Sequence, residues 1–526
     1  MSHAVRLPCD EAAIRRGPHA AAPARAAAAP VLAATILGSS LAFIDGTVVS
    51  VALPAIAREF RATGAELQWV VEAYALLLSA LLLVGGSLGD RFGRRRVYAL
   101  GVALFTVASI ACGLATSVRW LILARSLQGV GGALLIPGAL ALISASFEPG
   151  ERGRAIGTWS GFSGITAAIG PLLGGWLVNH SWRWAFFLNV PIAAMVLVLL
   201  ARVPESRDPG ARRLDPAGAV LATVGLGGLV FALIESSQLG WGHPGVLTGL
   251  VLGVLGLAAF VVFEARTASP MLQLDLFRSA DFTGANALTL FLYGALACVF
   301  FFLPLNLIQV QGYSPLQAGA ALLPFIVILF LFSRWSGRLV ERFGARRPLL
   351  VGPSIAALGF LLLSVPGIGG SYWKTFFPGV LVLGIGMAAS IAPLTTAVMN
   401  AVGEDHAGIA SGINNAASRV AGLLSIALLG ILLANVHGRE LERGINALSL
   451  DAGTRQHVLA ERDKLAAAEP PSGLPAPETA SVRLAIAAAF VAGFRAVSRV
   501  SAALALAAAL CAWVWIGRHR SGATAP

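Results

Sequence analysis

Long apolar runs separated by short polar breaks occupy the chain from residue 31 to residue 516. Each run is about twenty residues, the length of α-helix that crosses the ~30 Å hydrocarbon layer of a bilayer. The pattern predicts an all-α membrane protein with about fourteen transmembrane helices. A first group of spans falls at 31–57, 67–89, 97–116, 120–143, 155–178 and 184–201. A central pair falls at 216–234 and 246–263. A last group falls at 283–308, 316–339, 349–365, 376–399, 408–434 and 497–517.

The polar breaks are unequal. Arginines crowd every second one: Arg91 and Arg94 to Arg96, Arg152 and Arg154, Arg202 to Arg213, Arg266 and Arg278, and Arg342 to Arg347. The other short breaks hold few basic residues, among them Arg58, Arg61, Arg119, Arg183 and Lys374. Basic loops stay in the cytosol, so both termini are expected to be cytoplasmic and the protein multi-pass in the cytoplasmic membrane. Residues 1–30, rich in Ala, Arg and Pro, read as a disordered cytosolic tail. They do not read as a signal peptide, because the Ala-rich segment precedes the apolar run. Residues 518–526 form a second short tail. The long break 437–483 is expected outside, with charged helix-like sequence followed by a Pro-rich stretch. After it, 484–498 with Arg495 and Arg499 beside apolar residues suits an interfacial helix leading into the last span.

One break recurs. Gly86-x-Leu88-x-Asp90-Arg91-x-Gly93-Arg94-Arg95 follows the second run, and Gly337-x-Leu339-x-Glu341-Arg342-x-Gly344-Ala345-Arg346 follows the tenth. Leu53-Pro54 and Leu303-Pro304 return at nearly the same offset. A fixed offset marks two homologous halves. The implied organisation is a six-helix bundle at 31–201, a linker with two extra helices at 202–281, and a second bundle at 282–517. In the repeated break, Gly86 and Gly93 permit close approach and tight turning. Asp90 can pair with arginine or meet a helix N-terminus.

This pattern resembles the loop between the second and third helices of the major facilitator superfamily of transporters. The resemblance implies the major facilitator fold, two six-helix bundles, here with two extra central helices. The loop reads as a cytoplasmic gate built from Gly86, Asp90, Arg91, Gly93 and Arg94, with Gly337, Glu341 and Arg342 in the copy. It breaks and re-forms as the halves rock. The plainer alternative is a topology anchor.

Charged residues inside the runs are the candidate chemistry. Asp45 lies about 20 Å from either end of the first span, and an intramembrane acid is a functional hypothesis by default. The second half has Ala295 at the matching place, so the fold does not require the acid. Asp45 is the leading proton-coupling residue, against the alternative of a helix-packing hydrogen bond. Glu72, in the outer third of the second span, is a second proton site, a cation-attracting wall or a residue reaching for the outer interface. Arg125, in Arg125-Ser-Leu-Gln128-Gly129-Val-Gly131-Gly132, needs an acidic partner, and Asp45 and Glu72 are the candidates. Gln128 is assigned either to the substrate cavity or to a polar interhelical contact, and Arg419 to a polar group of the first half, an anionic substrate or an interhelical structural bond.

The stretch around Gln128 resembles a further signature of the superfamily. In the fifth span, Gly170-Pro171-Leu-Leu-Gly174-Gly175 resembles its antiporter signature, although Thr166 replaces the first glycine. The physical content is a closely packed helix bent at Pro171. Trp182-Arg-Trp184, Gln311-Gly-Tyr313-Ser-Pro315 and Gly408-Ile-Ala-Ser-Gly412 extend the likeness to the fourteen-helix drug:proton antiporter family. That resemblance implies proton-coupled efflux of lipophilic or amphipathic compounds such as drugs. The alternatives are a solute-specific exporter or proton symporter of a metabolite or lipid. A receptor or a membrane-embedded enzyme is a remoter class.

Composition narrows these options. The chain is 57% hydrophobic and 12% charged, about half the charge of a soluble protein. Its net charge of +12 follows the cytosolic breaks, which argues against nucleic acid as partner. Cys9, Cys112, Cys298 and Cys511 form neither a disulfide framework nor a metal spacing. No catalytic cluster and no ATP-binding loop is found. No cofactor is expected beyond the proton gradient. The expected partners are a small-molecule substrate, protons and the bilayer, with the chain acting as a monomer.

Overall fold

The computed structural model describes residues 28–147, 149–207, 215–267, 270–402 and 407–517. Among the described residues, fourteen α-helices of about twelve residues or more follow one another. They are α1 (Ala28–Phe60), α2 (Gly64–Phe92), α3 (Arg94–Gly113), α4 (Val118–Ser146), α5 (Pro149–His180), α6 (Asn189–Leu200), α7 (Pro216–Leu239) and α8 (Pro244–Arg266). Then come α9 (Ala280–Leu305), α10 (Leu323–Phe343), α11 (Arg346–Leu363), α12 (Phe376–Asn400), α13 (Ala407–Asn446) and α14 (Ala476–Trp515). Among the described residues, 12 helices are long and apolar enough to cross a membrane. The expected count of about fourteen is therefore not reached by that measure. The helix Pro149–His180 is not among the 12, and Trp184–Leu200 is apolar but shorter.

Local chemistry sets the helix ends. Thr63 opens α2 with a reciprocal cap to Glu66. Ser117, Asp215 and Ser279 accept from backbone N–H groups at the starts of α4, α7 and α9. Gly93 and Gly344 end α2 and α10 with φ of 115° and 70°. Only glycine adopts that backbone cheaply, which explains its presence at the same place in both copies of the repeat.

The halves repeat in packing as well as in sequence. In the first, α1 packs on α5 and α6, α4 on α2 and α3, and α3 on α6. In the second, α9 packs on α13 and α14, α12 on α10 and α11, and α11 on α14. The extra pair is asymmetric. Helix α7 touches both α2 and α13, whereas α8 rests on α7 and bares Leu247, Val251, Leu255 and Val262. Glu235 of α7 accepts from the Trp69 indole of α2 at 2.8 Å, and Gln238 donates to Thr63 at 2.6 Å.

The long break is not a loop with an interfacial helix. α13 runs on to Asn446 and α14 is one helix from Ala476. Their ends pack with Leu450, Val458 and Ala468 into a separate small core containing Leu441, Ile445, Val482 and Ile486. We call this the cap, and the side of the molecule that bears it the cap face. The side bearing Gly86 to Arg96 is the latch face. Arg495 donates to the Val365 and Pro366 carbonyls, closing the end of α11 rather than seeking an interface. Leu465 reaches down from the cap with φ of 55°, a backbone that costs a branched residue roughly 1–2 kcal/mol. It packs over Gly64 at the start of α2 and joins the main core.

That main core fixes the relation of the halves. From the first half it takes residues of the cap side, including Leu53, Ile56, Leu67, Val70, Leu121 and Phe186. From the second half it takes residues along the whole bundle. The latch-side core of the first half, with Val31, Tyr98, Leu142 and Val203, holds no residue of the second. The halves are therefore joined at the cap face.

Candidate polar network and gate of the first half

Five helices of the first half deliver polar groups to one buried point. Asp45 of α1 is fully buried, and Arg125 of α4 is 1% exposed. Arg125 Nη1 donates to Asp45 Oδ2 at 2.5 Å and to Gln128 Oε1 at 2.7 Å. Its Nε donates to the Val70 carbonyl of α2 at 3.0 Å. Arg125 and Gln128 are three residues apart and so share a helix face. Gln128 Nε2 donates to Asp45 Oδ1 at 2.8 Å. Asn189 of α6 donates to Ser109 Oγ of α3 at 2.8 Å and lies 3.4 Å from Asp45 Oδ1. The Tyr74 ring lies under the guanidinium at 4.3 Å.

The arrangement has definite consequences. Arg125 neutralises Asp45, and Gln128 belongs to this network rather than to a cavity wall. A buried ion pair gains little over an apolar core, but removing one partner costs about 3–5 kcal/mol. Glu72 does not join the network. It is fully buried, neither carboxylate oxygen has a partner, and it lies within electrostatic reach of Cys298 of α9. It neither pairs with Arg125 nor reaches the outer interface.

The glycines of α5 serve two contacts. A Cβ on Gly170 would collide with the Thr47 hydroxyl, and one on Gly174 would lie 3.0 Å from Val48. These seat α5 on the turn of α1 that carries Asp45. A Cβ on Gly175 would lie 2.5 Å from the Pro315 carbonyl and 2.6 Å from Leu316 Cα, both in the second half. One short seam thus holds the network turn and closes the cap face. The Pro171 side chain lies outside the described residues.

At the latch, Asp90 pairs with Arg94 at 2.8 Å, four residues on. Arg91 is exposed against Phe92. Glu205, beyond α6, accepts from Arg95 N at 3.0 Å and lies 3.6 Å from Arg96 Nε. Arg94 N donates to the Ser206 carbonyl, and Arg95 Nη1 to that of Val203. All these bonds stay in the first half. Gly86 meets Pro137 only at an ordinary 3.6 Å, whereas Gly85 is the crowded position, against the Ala133 carbonyl of α4. In the copy, Arg342 is exposed over Phe343, and the side chains of Gly337 and Glu341 lie outside the described residues.

Sequence reasoning missed Glu205, an acid set among arginines just past α6. It also missed Ser109 and Tyr74, which carry no motif. Asn189 stood in a recognised stretch but had no assigned partner.

Three comparisons bear on this geometry. Residues 35–426 match the model of the Major Facilitator Superfamily. The chain is 40% identical over 437 residues to the multidrug resistance protein Stp of Mycobacterium tuberculosis, covering 82% of this chain and 80% of that one. It is 34% identical over 490 residues to the tetracenomycin C resistance and export protein of Streptomyces glaucescens, covering 92% and 90%. In fold it is similar to a bacterial homologue of the human lysosomal transporter Spinster, solved inward-facing and unoccupied. The TM-score is 0.62 at 20% identity, covering 93% of this chain and 97% of that one.

Proposed function

This chain belongs to the major facilitator superfamily, and from that premise we propose that it exports lipophilic or amphipathic compounds in exchange for protons. Relatives described as resistance and export proteins, alike over most of both chains, support export. The observation that carries the proton half is the Asp45–Arg125 pair, fully buried midway along α1 and bonded through Gln128. A proton arriving on Asp45 releases Arg125, and that release redistributes bonds on α1, α2, α4 and α6 together. A ligand shifts such an equilibrium only through different affinities for its two states. Substrate and proton favouring opposite states is enough to couple their fluxes.

We read Pro149–His180 and Trp184–Leu200 as spans as well, which completes fourteen and puts both termini on one side. The basic latch face is then cytoplasmic. Closure of the cap face makes the described state inward-facing. Among the described residues the latch makes no bond to the second half, and Asp90 and Glu205 hold its arginines within the first.

Two measurements test the reading. In everted vesicles, substrate addition should dissipate an imposed pH gradient and drive substrate into the lumen; substrate movement without proton movement would refute exchange. Asp90→Asn and Glu205→Gln should slow turnover several-fold while equilibrium substrate binding stays within about twofold, because half-exposed ion pairs contribute only about 0–1 kcal/mol. A large affinity loss at unchanged turnover would overturn the gate assignment.

A further inference from the structure

We propose that Arg419 selects the exported compound by binding an oxyanion, so that the favoured substrates are lipophilic molecules bearing a carboxylate or phenolate. This deepens the export reading and rests on it.

Charge pairing between the halves carries the argument. Arg125 is saturated by Asp45, Gln128, the Val70 carbonyl and the Tyr74 ring. Arg419 of α13 has neither an acidic partner nor a hydrogen bond among the described residues. It is partly exposed. Tyr74, the ring beneath Arg125, is the group within its electrostatic reach. Among the described residues Glu72 makes no ion pair or hydrogen bond with it.

Position sets this cation where α13 of the second half meets α2 of the first. α13 runs antiparallel to α2, with Gly412 beside Leu83 and Gly430 beside Gln68. Arg419 lies between these points, about 18 Å along α13 from Ala407. Asn414 donates to Thr289 and Asn286, pinning its own side of α13 to α9. Residues five apart on a helix differ by about 140° in direction, so Arg419 is turned away from α9. Beside Asp45, α1 presents an open stripe. Phe43 is 37% exposed, and a Cβ on Gly46 would meet nothing within 4 Å.

An intramembrane arginine without a counter-charge is costly. A substrate oxyanion removes that cost, and the planar guanidinium binds a carboxylate with two parallel bonds. An ammonium in the same place would be repelled. Space along α1 leaves room for an apolar body. The first half thus handles the proton and α13 reads the substrate's charge.

The test uses the purified full-length transporter and three fluorescent probes on one lipophilic scaffold: a carboxylate, its neutral amide and an ammonium. Wild type should bind the carboxylate at least about tenfold more tightly than the amide, with the ammonium weakest. Arg419→Gln should abolish that preference and leave amide binding within twofold. Arg419→Lys should retain part of it, as a point charge without the fork. Equal carboxylate binding by Arg419→Gln, or an ammonium preference in wild type, overturns the proposal. If Arg419→Gln does not fold, the wild-type probe series and Arg419→Lys decide alone. Proton-coupled flux in vesicles is measured separately. Oxyanion preference without proton exchange would fail the export reading but not this one.

Discussion

Asp45→Asn should insert and fold but lose pH-gradient-driven export by two orders of magnitude or more. Its side chain keeps the shape of aspartate and one acceptor for Arg125, and the Gln128 amide can turn to meet the new donor. What it cannot do is neutralise Arg125 or carry a proton. Truncating one member of a buried pair costs about 3–5 kcal/mol of stability, largely because the other charge is stranded, and without an ionisable group at position 45 the network has no proton to exchange. Arg125→Leu strands the acid instead and should destabilise the protein more than Asp45→Asn does. The double change Asp45→Asn/Arg125→Gln should regain thermal stability in detergent without regaining transport. Stability and coupling would then separate, as expected of a pair whose breaking is part of the cycle. Undiminished gradient-driven efflux by Asp45→Asn, read by dye quenching beside substrate flux, would remove Asp45 from the coupling role.

The second large effect is expected at Gly175. Any side chain there meets the backbone of Pro315 and Leu316 at 2.5–2.6 Å, and backbone cannot rotate away. Gly175→Leu should therefore pry the halves apart at the cap face and bias the protein toward its outward-facing state. A cysteine introduced at Ser314, half-buried beside this contact, should become labelled several-fold faster from outside as the mouth opens, on the order of the shift in state populations. Export should fall and a substrate-free proton leak should grow. Gly170→Leu is the control. Its Cβ meets the Thr47 side chain, which can turn, so damage should centre on the Asp45 turn and leave labelling at Ser314 unchanged. Gly170→Ala should be milder still. Labelling at Ser314 unchanged by Gly175→Leu would show that the cap face is held shut elsewhere, with Leu465 of the cap the next place to look.

What the sequence determined by itself was whatever local chemistry dictates. Apolar length fixed the helices, because an unpaired backbone is intolerable in lipid and each span must satisfy its own hydrogen bonds. The offset between Asp90 and Glu341 disclosed the duplicated halves, and the matching packing of α1–α6 and α9–α14 agrees with it. Asp45 and Arg125 stood out because charge inside an apolar run is rare and expensive. Only the tertiary structure decided who meets whom. Asp45 rather than Glu72 takes Arg125, and Gly85 rather than Gly86 sits under a neighbouring carbonyl. Gly170 and Gly175, five residues apart, serve different halves. The break at 437–483 became a cap because the ends of α13 and α14 bury Leu441, Ile445, Val482 and Ile486 against each other. Those outcomes depend on the rotation and depth of each helix against its neighbours. Side-chain packing across the bundle sets both, and within the polar network it joins residues 144 positions apart, as in Asn189 and Asp45. No window read along the chain contains that information.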